Sequence, residues 1–162
     1  RNGVWLAKLG LAVTSLDWSA VAVEKAQDFA AKRGVELDAR QADVARWDWP
    51  EAQYDLIAWI YLHLPPEDRA IATAGCLRAL KPGGLYVILD HQAADGAGIS
   101  VAGTLHRIEA AELRRQVEAA GFVFDAESDA VRVPGDDHTL SVFDESIRGR
   151  TDRFVYRFRK PG

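Results

Sequence analysis

Apolar residues along this chain recur with two spacings, one helical and one strand-like, and the alternation between them sets out the fold. In "RNGVWLAKLG", Val4, Trp5 and Leu9 fall on one helical face and Gly10 supplies a C-terminal stop. "LAVTSLDW" is short, apolar and β-branched, and reads as a strand ending on Asp17. Ser19 is placed to cap the helix "SAVAVEKAQDFAAKRG", in which Val21, Ala22, Ala26, Phe29 and Ala30 keep helical spacing up to Gly34. A second strand, "VELDARQADV", passes Asp43, and a tryptophan-bearing loop, "ARWDWPEAQ", leads to "YDLIAWIYLHL". That nearly unbroken apolar run predicts a central parallel strand buried on both faces. "PPEDRAIATAGCLRALKPGG" predicts a helix opened by Pro65 and Pro66 and stopped by Lys-Pro-Gly-Gly, with the strand "LYVILD" directly after it.

The second half changes character. A polar, glycine-rich loop, "HQAADGAGISVAGTLHRI", has the look of a lid and precedes the helix "EAAELRRQVEAAG", with Ala111, Leu113 and Val117 as core candidates. Two extended stretches follow, "FVFDAESDAVRV" and "TDRFVYRFRK", separated by "PGDDHTLSVFDESIRGR". Phe154, Tyr156 and Phe158 share one side of the last strand. With no helix between them, these last two strands should pair antiparallel. The whole predicts an α/β fold wound through right-handed βαβ units and closed by an antiparallel strand.

Size narrows this to one domain over residues 1–162, because 162 residues with 48% hydrophobic content support one sizeable core. A net charge of -4 offers no general attraction to nucleic acid or to an anionic membrane, so neither is expected as a partner. No apolar run approaches the roughly 20 residues of a bilayer span, no signal peptide is visible, and a cytoplasmic location is the default expectation. Cys76 is the only cysteine, which excludes an internal disulfide and points to a buried, inert thiol. The C-terminal cluster Arg148, Arg150, Arg153, Arg157, Arg159 and Lys160 is most simply a solvated strand edge guarded by positive charge.

Ligands of open α/β sheets gather at the carboxyl ends of strands, which singles out Asp17 and Asp43. A carboxylate at Asp17 can accept both hydroxyls of a ribose, and Trp18 offers a flat surface to an adenine. Asp43 can accept from an exocyclic adenine amine, with Val44 as apolar contact. Taken singly, each acid is equally well a helix cap or a turn carboxylate. On the acceptor side, Tyr61 and His63 follow one strand and Asp90 and His91 the next. Both imidazoles titrate near neutrality when unperturbed and are candidate bases. His106 and Arg107 read as anchors of the next helix, and Asp136, Asp137 and His138 as a polar turn. With Asp90 and His91 these last three match no metal-ligand spacing, so no metal is expected.

From Arg1 to about Asp90 the sequence resembles class I S-adenosylmethionine-dependent methyltransferases, in particular the tellurite-resistance-type group. The likeness rests on "RNGVWLAKLG", "VTSLDWS", "QADV", "AWIYLHLPPEDR" and "LRALKPGGLYVILD". From about Leu89 to Pro161, "LHRIEAAELRRQVEAAGF" and "DDHTLSVFDESIRGRTDRFVYRFRKP" are similar to predicted methyltransferases of unassigned substrate. The resemblance implies a Rossmann-like sheet with an antiparallel last strand. It also implies a first strand and glycine loop expected ahead of Arg1, leaving a gap in the centre of the strand order. It implies S-adenosyl-L-methionine as cofactor, held by Arg1, Asn2, Asp17, Trp18, Asp43, Val44 and Ile60, with methyl transfer to a small-molecule acceptor and His63 or His91 as base. Two other readings stand beside it: a nicotinamide-dependent Rossmann oxidoreductase, which lacks a Tyr-x-x-x-Lys pair here, and a scaffold without cofactor affinity. The oligomeric state is open.

Overall fold

A computed structural model describes residues 1–162, which group into two compact units, Arg1–Asp48 and Trp49–Gly162. In the first unit, helix α1 (Asn2–Lys8) ends at Gly10, whose φ of 89° suits glycine. Strand β1 (Thr14–Asp17) pairs in parallel with β2 (Asp38–Gln41), opposing Asp17 and Gln41. Helix α2 (Ala20–Lys32) connects them, capped by the Ser19 side chain, which accepts the Ala22 N–H at 3.3 Å as its sequence position predicts. The apolar face of this unit is thinner than periodicity suggests. Val4 and Ala30 are buried, whereas Trp5, Leu9 and Val21 are exposed.

The second unit holds a four-stranded mixed sheet in the order β3-β4-β6-β5, formed by β3 (Tyr54–Ile60), β4 (Leu80–His91), β5 (Val123–Ser128) and β6 (Arg153–Arg159). β3 and β4 are parallel, joined by helix α3 (Pro66–Ala79), and β6 runs antiparallel to both β4 and β5. The antiparallel ending expected from the missing helix is therefore present. A short helix, α4 (Ala102–Leu105), and helix α5 (Ala110–Ala119) lie between β4 and β5. The core gathers Trp59, Leu80, Tyr86, Ile88, Leu113, Val117, Phe122, Phe154 and Phe158. Trp49 lies over Gly75, where an added Cβ would come within 2.2 Å of the indole. No helix is long and apolar enough to cross a membrane.

Four expectations are corrected here. β3 is an edge strand in this sheet, so Leu56 is 37% exposed and of its residues only Trp59 is buried. Apolar continuity marks what a strand can bury, not how many neighbours it has. Helix α3 stops at Ala79 rather than at Lys-Pro-Gly-Gly, which is an irregularity inside the β4 span: Tyr54 opposes Leu80 and Leu56 opposes Leu85. Pro82 holds Lys81 extended, and Gly83 takes a φ of 74°. In α5 it is Ala110, not Ala111, that joins Leu113 and Val117 in the core. The basic C-terminal strand is not an edge either, because β6 lies between β4 and β5, where Arg157 and Arg159 both reach Asp125 on β5.

Candidate active site

In the first unit, the end of β1 presents Asp17 to an open groove of about 510 Å³ that is also lined by Arg1, Ser15, Ala26 and Phe29. Asp17 Oδ1 accepts the Ser19 N–H at 2.9 Å, which fixes the carboxylate over the helix start. Its Oδ2 accepts nothing from the protein and is available to a hydroxyl donor. Trp18 is 80% exposed, with its backbone carbonyl held by Gln41 Nε2 at 3.1 Å. The free carboxylate oxygen can accept from a hydroxyl, and the exposed indole can stack on a planar ring. Asp43 lies two residues beyond β2 and is more committed: Oδ1 accepts the Ala45 N–H and Oδ2 pairs with Arg46 at 2.6 Å. The Arg46 hydrogen bond, then that of Ala45, hold this carboxyl below its ordinary range. Val44 is half-buried, and Arg1 and Asn2 are exposed around the start of α1.

The second unit collects the acceptor-side candidates where β3 and β4 end. Ile60 closes β3 opposite Leu89, and Tyr61 follows with a φ of 52°, a left-handed conformation rare outside glycine. That turn stacks the Tyr61 ring on His91, with centroids 4.6 Å apart and planes 20° apart. Thr151, almost fully buried, holds His91 Nδ1 through Oγ1 at 3.0 Å, leaving Nε2 with no partner in the protein. Burial, followed by the charges of Arg107 and Arg153, pushes His91 down to about 4, so the imidazole is neutral at physiological pH.

His63 behaves differently. Its Nε2 lies 3.3 Å from Oδ1 of the fully buried Asp90, and its Nδ1 is buried without a partner. Burial pushes Asp90 up to about 7 and His63 down to about 4, so between those two values both are uncharged. Asp90 Oδ2, Arg69 Nε and Arg153 Nε are also buried without hydrogen bonds, which concentrates unsatisfied polar atoms at this strand end. His106 adopts a left-handed conformation at the end of α4 and meets His63 edge-on, with Phe143 on its other side.

Arg107 is deeper than an anchor at a helix start. It is fully buried, forks onto Asp136 at 2.8 and 3.1 Å, and donates to the Gln92 and Leu140 carbonyls. His138 pairs with Asp152 and Asp137 with Thr139, so the polar turn is consumed in folding contacts. Cys76 is completely buried and burial pushes its thiol up to about 12, in line with an inert side chain. Sequence reasoning missed Thr151, Arg153 and Arg69 as site residues. The available signal was topological: an antiparallel last strand brings its first residues to the carboxyl end of β4.

Comparison with known proteins follows this geometry. A family profile described as "Methyltransferase domain" matches residues 1–84, just over half of the chain. Among solved structures, the [4+2]-cyclase SpnF is similar over 98% of this chain and 69% of its own, with 21% identity and a TM-score of 0.78. A TehB-like SAM-dependent methyltransferase from Corynebacterium glutamicum is 19% identical over 99% of this chain and 74% of its own, with a TM-score of 0.69. The N-methyltransferase NodS from Bradyrhizobium japonicum is 17% identical over 99% of this chain and 81% of its own, with a TM-score of 0.71. No curated protein matches the chain. These structures share the Rossmann-like fold, and the family match decides against the nicotinamide oxidoreductase: the chain belongs to the methyltransferase domain family, as its resemblance to class I S-adenosylmethionine-dependent methyltransferases implied.

Proposed function

We propose that this protein methylates a small-molecule acceptor with S-adenosyl-L-methionine as donor, binding the donor's ribose through Asp17 and its adenine beside Trp18, Asp43 and Val44. The observation that carries the reading is the end of β1, where Asp17 keeps one carboxylate oxygen unclaimed next to an exposed indole. Arg1, Asn2 and Ile60 are proposed to complete the cofactor contacts. The net charge of -4 favours a small acceptor over nucleic acid or anionic membrane.

The bound donor supplies a methyl group made electrophilic by a sulfonium, and much of the acceleration in such a displacement comes from holding the acceptor in line with it. His91 is the better of the two candidate bases. Thr151 and Tyr61 fix its ring, it is neutral at physiological pH, and Nε2 is open to receive the proton that leaves an O–H or N–H acceptor. His63 has its Nε2 on Asp90, and we assign it to shaping that end of the sheet.

Titration calorimetry tests the cofactor half. S-adenosylhomocysteine should bind saturably and NAD should not, and Asp17→Ala should weaken binding at least tenfold while leaving the melting temperature unchanged. Unchanged affinity in that variant would remove the ribose contact, and absence of any binding would leave a scaffold without cofactor affinity. Because a cyclase shares this fold, binding is to be followed by a methyl-transfer screen against mixed metabolites.

A further inference from the structure

Strand β6 carries three arginines on one face, Arg153, Arg157 and Arg159, and the sheet neutralises only two of them. Arg157 and Arg159 converge on Asp125 of β5. Arg153 has no such neighbour, because the β5 ladder ends where Ser128 opposes Val155. On its other side it opposes His91 of β4, so both side chains project from the same face at the same level.

What surrounds Arg153 accounts for its position but not for its charge. Nη1 donates to the Tyr61 hydroxyl at 3.3 Å, Nε is buried without a partner, and no carboxylate lies within ion-pair distance. The nearest acid in sequence, Asp152, faces the opposite way. It accepts the Arg153 backbone N–H and spends its remaining capacity on Arg132, Val133 and His138. Asp90, the other acid at this strand end, meets His63 and the His91 N–H through Oδ1, and its buried Oδ2 has no partner and forms no ion pair with Arg153. A half-buried guanidinium left without an anion is unusual, since such groups are normally paired. Its planar fork suits a carboxylate or phosphate oxygen pair.

We infer that Arg153 is the receptor for an anionic group on the methyl acceptor, held by Tyr61 beside the open Nε2 of His91. The inference rests on the reading of this strand end as the acceptor side, and names the acceptor's class: a small molecule bearing a carboxylate or phosphate next to the atom that is methylated. Anchoring the acid on Arg153 presents the neighbouring O–H or N–H to His91. With His91 and His63 uncharged, the cations at this strand end are the buried Arg69 and the half-buried Arg153, and it is Arg153 that lies beside His91.

The test uses benzoate and its neutral isostere benzamide on the isotope-labelled full chain at constant ionic strength, read by NMR of the imidazole resonances. Benzoate should shift His91 saturably and benzamide should not. Arg153→Gln should weaken the benzoate response at least tenfold, Arg153→Lys should retain part of it, and an unmoved His138 resonance should report an intact fold. An equal response to benzamide, no response to either benzoate or inorganic phosphate, or an Arg153→Gln variant that binds as well as the parent would overturn the proposal. This readout needs no cofactor, so it separates from calorimetry with S-adenosylhomocysteine. Inorganic phosphate as a second probe distinguishes the two anion chemistries.

Discussion

The two compact units divide the labour unequally. Arg1–Asp48 has two paired strands, buries Val4, Ala30 and Ala45, and leaves Trp5, Leu9, Leu11, Trp18 and Val21 on its surface. Trp49–Gly162 has four strands, a core of interlocking aromatic rings around Tyr86, Phe122, Phe124 and Phe158, and a buried ion pair at Arg107 and Asp136. Two strands with one thin apolar face make little stability of their own. The proposed cofactor residues other than Ile60 thus sit in the lightly packed unit, and the acceptor-side residues in the densely packed one. On the proposed reading, recognition in the first would rest on exposed side chains that can be changed at little structural cost, and chemistry in the second would be embedded in the core.

The largest test of that contrast is a pair of truncations. Phe158→Ala, at a fully buried position, should lower stability by about 4 kcal/mol in denaturant melts, whereas Trp5→Ala should change it by less than about 1 kcal/mol. Comparable losses in both would abolish the distinction. Next in size, Arg107→Met strands the Asp136 carboxylate in the interior and leaves two carbonyls without their donor, for an expected loss of about 3 kcal/mol by the same melts. A loss under about 1 kcal/mol would mean that the fork does not hold the segment between β5 and β6.

A smaller effect sharpens the picture through pH. His63 and His91 are held down to about 4, so both resist protonation in the folded state, and stability falls as pH drops from about 6.5 towards 4. Asp90 acts in the opposite sense: its carboxyl is held up to about 7, so its contribution is present at acid pH and is lost as pH rises from about 4 through 7. Asp90→Asn removes the one opposing group. Stability should then climb more steeply between pH 4 and 6.5, and at pH 8 the variant should exceed the parent by about 2 kcal/mol. Melts of both proteins at pH 5 and pH 8 that ran parallel would show that Asp90 ionises as readily folded as unfolded.

Much of this was readable in the chain, and what was not shares a cause. The Ser19 cap, the acid at the end of β1 and the antiparallel ending follow from local chemistry and chain order. Strand neighbours do not. "YDLIAWIYLHL" is equally apolar at an edge or in a centre, so β3 was misplaced. The six basic residues near the C-terminus look alike in sequence, and only the end of β5 at Ser128 separates Arg153 from Arg157 and Arg159. Arg107 beside His106 gives no hint of depth, because its partner Asp136 lies 29 residues away. Long-range partners decide each of these cases.

The place of β6 in the sheet also bears on how the protein is made. β4 and β5 are both translated before Arg153–Arg159 exists, yet the two are joined only through it. While the ribosome is still reading the connecting segment, the inner edge of β4, with Tyr86 and Ile88 along it, has no strand to pair with. Nascent chains of this protein therefore expose an apolar edge until β6 emerges, and a chaperone or a neighbouring chain can capture it in that interval. Closure of the sheet is deferred to the emergence of the strand that lies between β4 and β5.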